Sequence, residues 1–258
     1  GGIIRQEGKT YFKAIEVLPQ RKHDKPFVIR KNLILSEDEI DAVFIRTDPP
    51  FDQEYLQHTW YLDLISKRIF VMNSPGGIRM VNEKIWVSQF TGIVPPTFIG
   101  VDKESALQFI HKHKDVIAKP TNSYGGQGIF RIKKGDVNTN IILETLTRQW
   151  TQDCILQKYV PAAHKGDKRI LLLDGEILGA VLRVHGKDDH RNNFFAGGKP
   201  YPTKITDRDL EIVAVLRPHL KRLGLHFVGI DVIGNYLIEV NVTSPTCLQE
   251  MNQLYRKT

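Results

Sequence analysis

The 258-residue chain is 41% hydrophobic and 25% charged, with a formal net charge of +7. Those proportions fit a globular protein of one large or two to three small domains, and no apolar run reaches the length of a membrane-spanning helix. The basic residues are scattered apart from clusters at 21–25 and 111–114, so nucleic-acid binding is not expected, whereas a small anionic substrate accounts for the positive excess. Cys154 and Cys247 form neither a metal motif nor a disulfide framework, which makes a reducing cytosol the default. The opening Gly-Gly-Ile-Ile carries no initiator Met and no signal-peptide or transit character, and reads as starting inside a longer native sequence.

In chain order, 1–37 reads as short strands at 2–5, 10–13 and 27–30, closed by a capped turn at Ser36-Glu37-Asp38-Glu39. A buried strand follows at 41–46, then Thr47-Asp48-Pro49-Pro50-Phe51-Asp52. Two prolines forbid regular structure there. A charged loop at the carboxyl end of a strand is where open α/β sheets hold ligands; an ordinary rigid loop is the other reading. Residues 53–66 carry a helical stripe through Tyr55, Leu56, Trp60, Leu62 and Ile65. With the next strand at 68–73, this makes a parallel strand–helix–strand unit. A second helix is expected over 82–91, with a domain boundary at Asn73-Ser74-Pro75-Gly76-Gly77.

A strand at 95–99, a helix at 103–113 and a strand at 115–120 come next. Lys119 ends that strand and feeds a glycine-rich loop, Thr121 to Gly128, before a strand at 129–132. The loop is not a Walker A sequence, because no Gly-Lys-Ser/Thr follows. It is not a dinucleotide fingerprint either, because a strand follows instead of a helix. It can close over phosphates as a flap, with Lys119 as a point charge, or be a plain flexible hairpin. Residues 138–149 read as a strand and a helix, and 154–160 as a strand. Its end, Gln157-Lys158-Tyr159-Val160, is an extended edge able to hydrogen-bond adenine through its backbone. Strands at 168–173 and 177–184 flank a turn at Asp174-Gly175-Glu176. Asp167 is either a ribose acceptor or a turn residue. Arg169 and Arg183 fall on the two adjacent strands, as bidentate forks for carboxylate or phosphate or as part of a solvated sheet face. After a polar stretch at 185–199, residues 207–223 form a helix that Pro218 is expected to kink.

The hairpin at 227–247 holds the densest chemistry. Two apolar runs flank Gly234-Asn235. By alternation Leu237, Glu239, Asn241 and Thr243 face one way, and Ile238, Val240 and Val242 the other. Glu239 and Asn241 then sit about 7 Å apart on one face. Both offer hard oxygen donors of the kind magnesium prefers, and Asp231 can join them. The other reading is a strand end at a wet sheet rim. Parity tests the joint site: a simple two-residue turn pairs 231 with 238 and turns Asp231 away from Glu239. Sharing a cation requires a three-residue loop or an equivalent bulge.

Together these residues resemble the bacterial glutathione synthetases, ligases of the ATP-grasp fold. The carriers are Arg46-Thr-Asp-Pro-Pro-Phe-Asp52, Asn82-Glu-Lys84, Ala118-Lys-Pro120 with Gly125-Gly126, Gly166-Asp-Lys-Arg169, Ala196-Gly-Gly198, Asp231 and Glu239-Val-Asn-Val-Thr-Ser-Pro-Thr-Cys247. The similarity covers nearly the whole chain. The proline loop and the Asn-Val-Thr-Ser-Pro-Thr-Cys segment look specific to this family, whereas the lysines and the acidic hairpin are common among ATP-grasp enzymes. Three differences stand out: residues 185–191 are more charged than the family's glycine-rich loop, Asn122-Ser123 replaces an Asp-Gly, and neither the first strand–helix–strand unit nor a C-terminal helix is evident.

The resemblance implies an α/β ATP-grasp fold, two α+β lobes sandwiching ATP, after a partial N-terminal parallel-sheet domain. The divisions are 1–78, 79–158 (the lobe with the lid) and 159–258 (the lobe with the metal and substrate site). It implies ATP-dependent joining of γ-glutamylcysteine to glycine through an acyl phosphate. Lys84 and Lys119 would bind ATP phosphates under a lid that includes Ser123, Tyr124, Gly125 and Gly126. Gln157, Lys158, Tyr159 and Val160 would line adenine, with Asp167 in the nucleotide region. Asp231, Glu239 and Asn241 would hold magnesium, or manganese. Arg169, Arg183 and Ser244 would face the acyl substrate, with Asn193, Gly197 and Gly198 on a mobile loop over it, and Arg169, Arg183 and Lys119 would act in catalysis. The resemblance also implies small-molecule partners, a homotetramer and a cytoplasmic setting. Two other readings remain open: a different ATP-grasp carboxylate–amine ligase, against which the proline loop argues, and a regulatory nucleotide-binding protein, against which the intact Lys84, Lys119, Asp231, Glu239 and Asn241 argue.

Overall fold

Residues 2–20, 24–185 and 198–255 are described by the computed structural model. The chain opens with three antiparallel strands, β1 (Gly2–Gln6), β2 (Lys9–Pro19) and β3 (Phe27–Ser36), side by side in that order. Ile3 and Phe12 on this sheet pack against Leu62, Ile65 and Ile69. The expected parallel unit follows: β4 (Ala42–Phe44) pairs in parallel with β5 (Phe70–Met72) across α1 (Gln53–Asp63). Asp52 caps α1 by accepting from the Tyr55 N–H at 2.9 Å. The first domain therefore joins an antiparallel sheet to the expected parallel pair.

The helix expected over 82–91 is only a 3₁₀ turn at Trp86–Gln89, and the regular helix is α2 (Pro75–Met80). Pro75 stands in its first turn and Ser74 caps it, a start that suits a residue without an N–H. Gly77, read from sequence as linker, is a packing glycine: a Cβ there would come within 2.1 Å of the Leu223 carbonyl oxygen. Side-chain size at a close approach, not chain flexibility, explains that glycine.

Four antiparallel strands make the second sheet, in the order β6 (Thr97–Gly100), β9 (Cys154–Lys158), β7 (Asp115–Pro120), β8 (Phe130–Lys133). Helices α3 (Lys103–His113) and α4 (Thr139–Leu146) cover one face, where Ala106, Ile110, Val116, Ala118, Ile132, Leu143 and Leu156 form a core. Residues 138–149 thus supply a helix alone. The third sheet runs β12 (Lys199–Pro202), β11 (Glu176–Val184), β10 (Asp167–Leu173), β13 (Phe227–Ile233), β14 (Tyr236–Asn241). Its strands alternate: Ile170, Leu172, Val228 and Ile230 meet Ile212, Val213, Leu216 and Leu220 of α5 (Asp207–Arg222). On the other face, α6 (Leu248–Tyr255) lays Met251 over Leu171, Val181 and Cys247, so the C-terminal helix that the sequence does not announce is present. It covers only one end of that face. The other end carries Asp167, Arg169, Arg183 and Asp231 and opens into a cleft. Among the described residues no helix is long and apolar enough to cross a membrane.

Candidate active site

A cleft of about 780 Å³ lies between the second and third sheets, roofed by the glycine loop and closed at one end by the proline loop. It collects Lys84, Lys119, Ser123, Tyr124, Gly125, Gly126, Gln157, Lys158, Tyr159, Val160, Asp167, Arg169, Arg183, Asp231, Glu239, Asn241 and Ser244. Of the remaining predicted positions, Asn193 and Gly197 lie outside the described residues, as does most of the 185–198 loop, and Gly198 directly precedes β12.

Its floor is a row of charged side chains on facing strand positions. Asp167 stands opposite Arg183, Arg169 opposite Asp231, and Asp231 opposite Glu239, the spacing at which side chains on one face touch. Arg169 donates to both Asp231 oxygens at 2.5 and 2.9 Å. Arg183 donates to both Asp167 oxygens at 2.7 and 2.8 Å, and lies 3.0 Å from Asp231. Gly229 makes room for this row, since a Cβ would fall 3.1 Å from Arg169 Cδ. Burial opposes ionisation of Asp231, but Arg169 and Arg183 overcome it and hold this carboxyl well below the usual range. For Asp167 burial wins and the carboxyl is pushed up, despite Arg183. Asp167 thus braces Arg183 through both oxygens while lining the cleft.

The two lysines differ. Lys84 is paired with Glu239 at 2.9 Å and also donates to the Ser123 carbonyl of the glycine loop. Burial acts to lower its pKa, but Glu239 raises it overall. Lys119 is 5% exposed and donates to the Gln157 Oε1 at 3.4 Å. Burial pushes it down to about 8, with Glu239 opposing and Lys84 adding to the shift. Among the described residues it has no carboxylate in ion-pair contact. A buried ammonium in that condition is unfavourable until an anion arrives.

The hairpin resolves the parity question. Ile233 pairs with Tyr236 and Val232 with Leu237, so the turn is Gly234-Asn235 alone. The register then shifts, and Asp231 pairs with Glu239. The extra residue is Ile238: a bulge, in place of a longer loop, brings the carboxylates onto one face. Simple alternation fails on either side of it. Leu237 enters the core with Val240 and Val242, while Ile238 lines the cleft. Asn241 donates through Nδ2 to the Gly229 carbonyl at 3.3 Å and to Asp231 at 3.5 Å, which leaves its carbonyl oxygen for a cation. Among the described residues no three His, Cys, Asp or Glu side chains gather at one point; the oxygen donors that share this part of the cleft are two carboxylates and this carboxamide. Two carboxylates and an amide oxygen suit a hard divalent ion.

Sequence reasoning gave no role to Glu83, which lines the cleft, or to Asn73, which braces the strands behind it. Glu83 accepts from the Val242 and Thr243 N–H groups at 2.8 and 3.1 Å and from the Thr243 hydroxyl at 2.9 Å. Burial pushes its carboxyl up, and Glu239 adds to that. Asn73 is buried, donates to the Phe227 and Val242 carbonyls at 2.8 and 2.9 Å, and accepts from the Phe227 N–H at 2.7 Å. These contacts bridge more than 150 positions, and no local pattern announces them.

The model of the prokaryotic glutathione synthetase N-terminal domain matches residues 2–79, and that of the prokaryotic glutathione synthetase ATP-grasp domain matches 83–256. The glutathione synthetase of Nostoc sp. is 44% identical over 260 residues, covering 98% of this chain and 80% of the relative. That of Escherichia coli is 38% identical over 251 residues, covering 96% and 79%. Among solved structures, D-cycloserine synthetase superposes with a TM-score of 0.65 at 14% identity, over 83% of this chain and 80% of the other. The D-alanine–D-alanine ligase of Bacillus anthracis does so at 0.56 and 15%, over 85% and 75%. These last likenesses carry the fold alone, and it is the ATP-grasp fold. On the two domain matches and the close relatives, the chain belongs to the prokaryotic glutathione synthetase family.

Proposed function

We propose how the cleft divides its labour in the reaction of this family, ATP-dependent glutathione synthesis. As an ATP-grasp ligase the chain uses ATP with a divalent metal. The acid is the cysteinyl carboxylate of γ-glutamylcysteine and the amine is glycine. Lys84 and Lys119 neutralise the phosphates, under a lid that includes Ser123, Tyr124, Gly125 and Gly126. Gln157, Lys158, Tyr159 and Val160 line the adenine, and Asp167 orients Arg183. Asp231, Glu239 and Asn241 would hold magnesium or manganese, which supplies charge neutralisation at the transferring phosphoryl group. Arg169 and Arg183 hold the carboxylate as the γ-phosphoryl passes to it. They then stabilise the tetrahedral oxyanion as glycine's amine attacks and phosphate leaves. Ser244 and the segment holding Asn193, Gly197 and Gly198 close the acyl end. Excluding water protects an acyl phosphate from hydrolysis.

Lys119 carries this reading. Among the described residues it is a buried cation lining the cleft with no carboxylate in ion-pair contact, in a floor whose other buried cations are paired. The three-part division 1–78, 79–158 and 159–258 is supported by each sheet falling within one part. We infer a homo-oligomer, tetrameric as the resemblance implies. Support comes from apolar side chains exposed along β2 and β3, among them Phe27, Ile29 and Ile34; sedimentation checks it. A cytoplasmic setting is supported by the two free, buried cysteines. The test of function is ATP-dependent phosphate release with γ-glutamylcysteine plus glycine, against the same assay with other acids and amines. Equal release with a swapped acid or amine would overturn the substrate assignment.

A further inference from the structure

A row of side chains runs behind Lys119, across three neighbouring strands of the second sheet. Gln157 on β9 stands opposite Thr97 on β6 and opposite Ile117 on β7. Lys119 lies two residues beyond Ile117 on the same face, which makes it the diagonal neighbour of Gln157. Ile117, Lys119 and Gln157 line the cleft, and the half-buried Thr97 lies outside that lining.

The hydrogen bonds along this row run in one direction. Thr97 spends its hydroxyl proton on the Pro95 carbonyl, at 2.8 Å. Toward Gln157 the same oxygen can then only accept, and it receives an N–H from Gln157 Nε2 at 3.1 Å. That leaves Gln157 Oε1 as the end that meets Lys119 Nζ, at 3.4 Å. A carboxamide is nearly symmetric in shape but not in chemistry. Turned over, Gln157 would set its NH2 group against the ammonium, donor against donor, and its carbonyl against a hydroxyl oxygen whose proton is already given away. Thr97 therefore fixes which end of the amide Lys119 meets.

An amide differs from a carboxylate in what it leaves behind. Lys84 leans on Glu239, which offsets its charge. Gln157 is buried and neutral, so it holds an ammonium by one directed acceptor and leaves the positive charge for an anion.

We propose that Thr97, outside the cleft, is a positioning residue for ATP binding: through the Gln157 amide it orients the acceptor that holds the Lys119 ammonium toward the phosphates. This role rests on the reading of Lys119 as a phosphate ligand given above.

Steady-state ligation and calorimetry with a non-hydrolysable ATP analogue, both on the whole chain, test it in Thr97→Val, Thr97→Ser, Lys119→Met and the Thr97→Val, Lys119→Met pair. Valine has nearly the shape of threonine but frees the amide to turn. Thr97→Val should weaken analogue binding and raise KM for ATP by about fivefold or more, with KM for γ-glutamylcysteine unchanged. Thr97→Ser keeps the hydroxyl and should restore both values. With Lys119→Met already in place, Thr97→Val should add no further loss, because the two residues act as one unit. An equal further loss in that background, or KM values that rise alike for both substrates, overturns the role. If Thr97→Val does not fold, Gln157→Met breaks the row at its middle and is read against the same Lys119→Met background. Normal nucleotide binding in Lys119→Met would sink the phosphate reading of Lys119 and this role with it. Weak binding in Lys119→Met beside normal binding in Thr97→Val overturns the role alone.

Discussion

On the proposed reading, burial makes Lys119 responsive to phosphate. With its ammonium at about 8 in the free protein, a polyphosphate nearby favours the charged form and raises that value. Nucleotide binding near pH 8.5 should therefore take up a fraction of a proton, and binding near pH 6.5 almost none. Titration calorimetry in buffers of different ionisation enthalpy measures this, and buffer-independent heats at pH 8.5 would refute it. The stability consequence has a definite sign. The folded value lies below the ordinary 10.5, so between about 8 and 10.5 the unfolded chain binds more protons, and this residue makes stability rise with pH across that window. Arg183 supplies the second prediction at this scale. Its fork reaches Asp167 through two nitrogens and Asp231 through one of them, and lysine cannot reproduce that geometry. Arg183→Lys should lower ligation turnover about tenfold or more, roughly 1.4 kcal/mol, while affinity for a non-hydrolysable ATP analogue changes little. A collapse of nucleotide affinity with normal turnover at saturating ATP would assign Arg183 to the nucleotide.

At the scale of elements, the glycine loop and the hairpin carry different burdens. The loop between β7 and β8 is tied down by two side chains from outside it: Lys84 reaches the Ser123 carbonyl and Asn82 the Thr121 carbonyl. Replacing residues 123–128 with a two-residue turn should leave the second sheet folded, because its core lies on the opposite face. ATP hydrolysis should then run uncoupled from ligation, or both should fail. Normal coupled turnover in the shortened chain would rule out the lid. The hairpin is less tolerant, since its bulge at Ile238 aligns Glu239 with Asp231. Glu239→Gln keeps the bulge and removes one hard anionic ligand. It should fold and lose most activity, and equal turnover at saturating magnesium would remove Glu239 from the metal site.

Across the whole molecule, the first domain is keyed into the third sheet at Asn73. One side chain there satisfies three backbone groups, at the start of β13 and just past β14. Asn73→Ala should lower stability by about 2 kcal/mol or more, because buried N–H and C=O groups lose their partners. Urea unfolding reads this, and an unchanged midpoint would show that the contact is not structural. Activity should fall as well, since the same two chain segments flank Asp231 and Asn241.

What the sequence determined by itself was local or strictly periodic. The helix at Lys103–His113 and the strand at Asp115–Pro120 have the bounds read from the sequence, because a helical stripe and an alternating apolar run are written in consecutive residues. The apolar alternation of β10 and β13 likewise fixes which face holds Arg169 and Asp231. Tertiary structure alone decided what depends on distant partners. Gly77 reads as linker until Leu223 lies against it. Parity demands a bulge or a longer loop, yet only pairing with β13 and burial of Leu237 select a bulge at Ile238. Glu83 and Asn73 look like ordinary polar residues until chain segments far along the sequence bring backbone groups that need them. Periodicity reports which face is buried; it contains no term for which atoms will meet there.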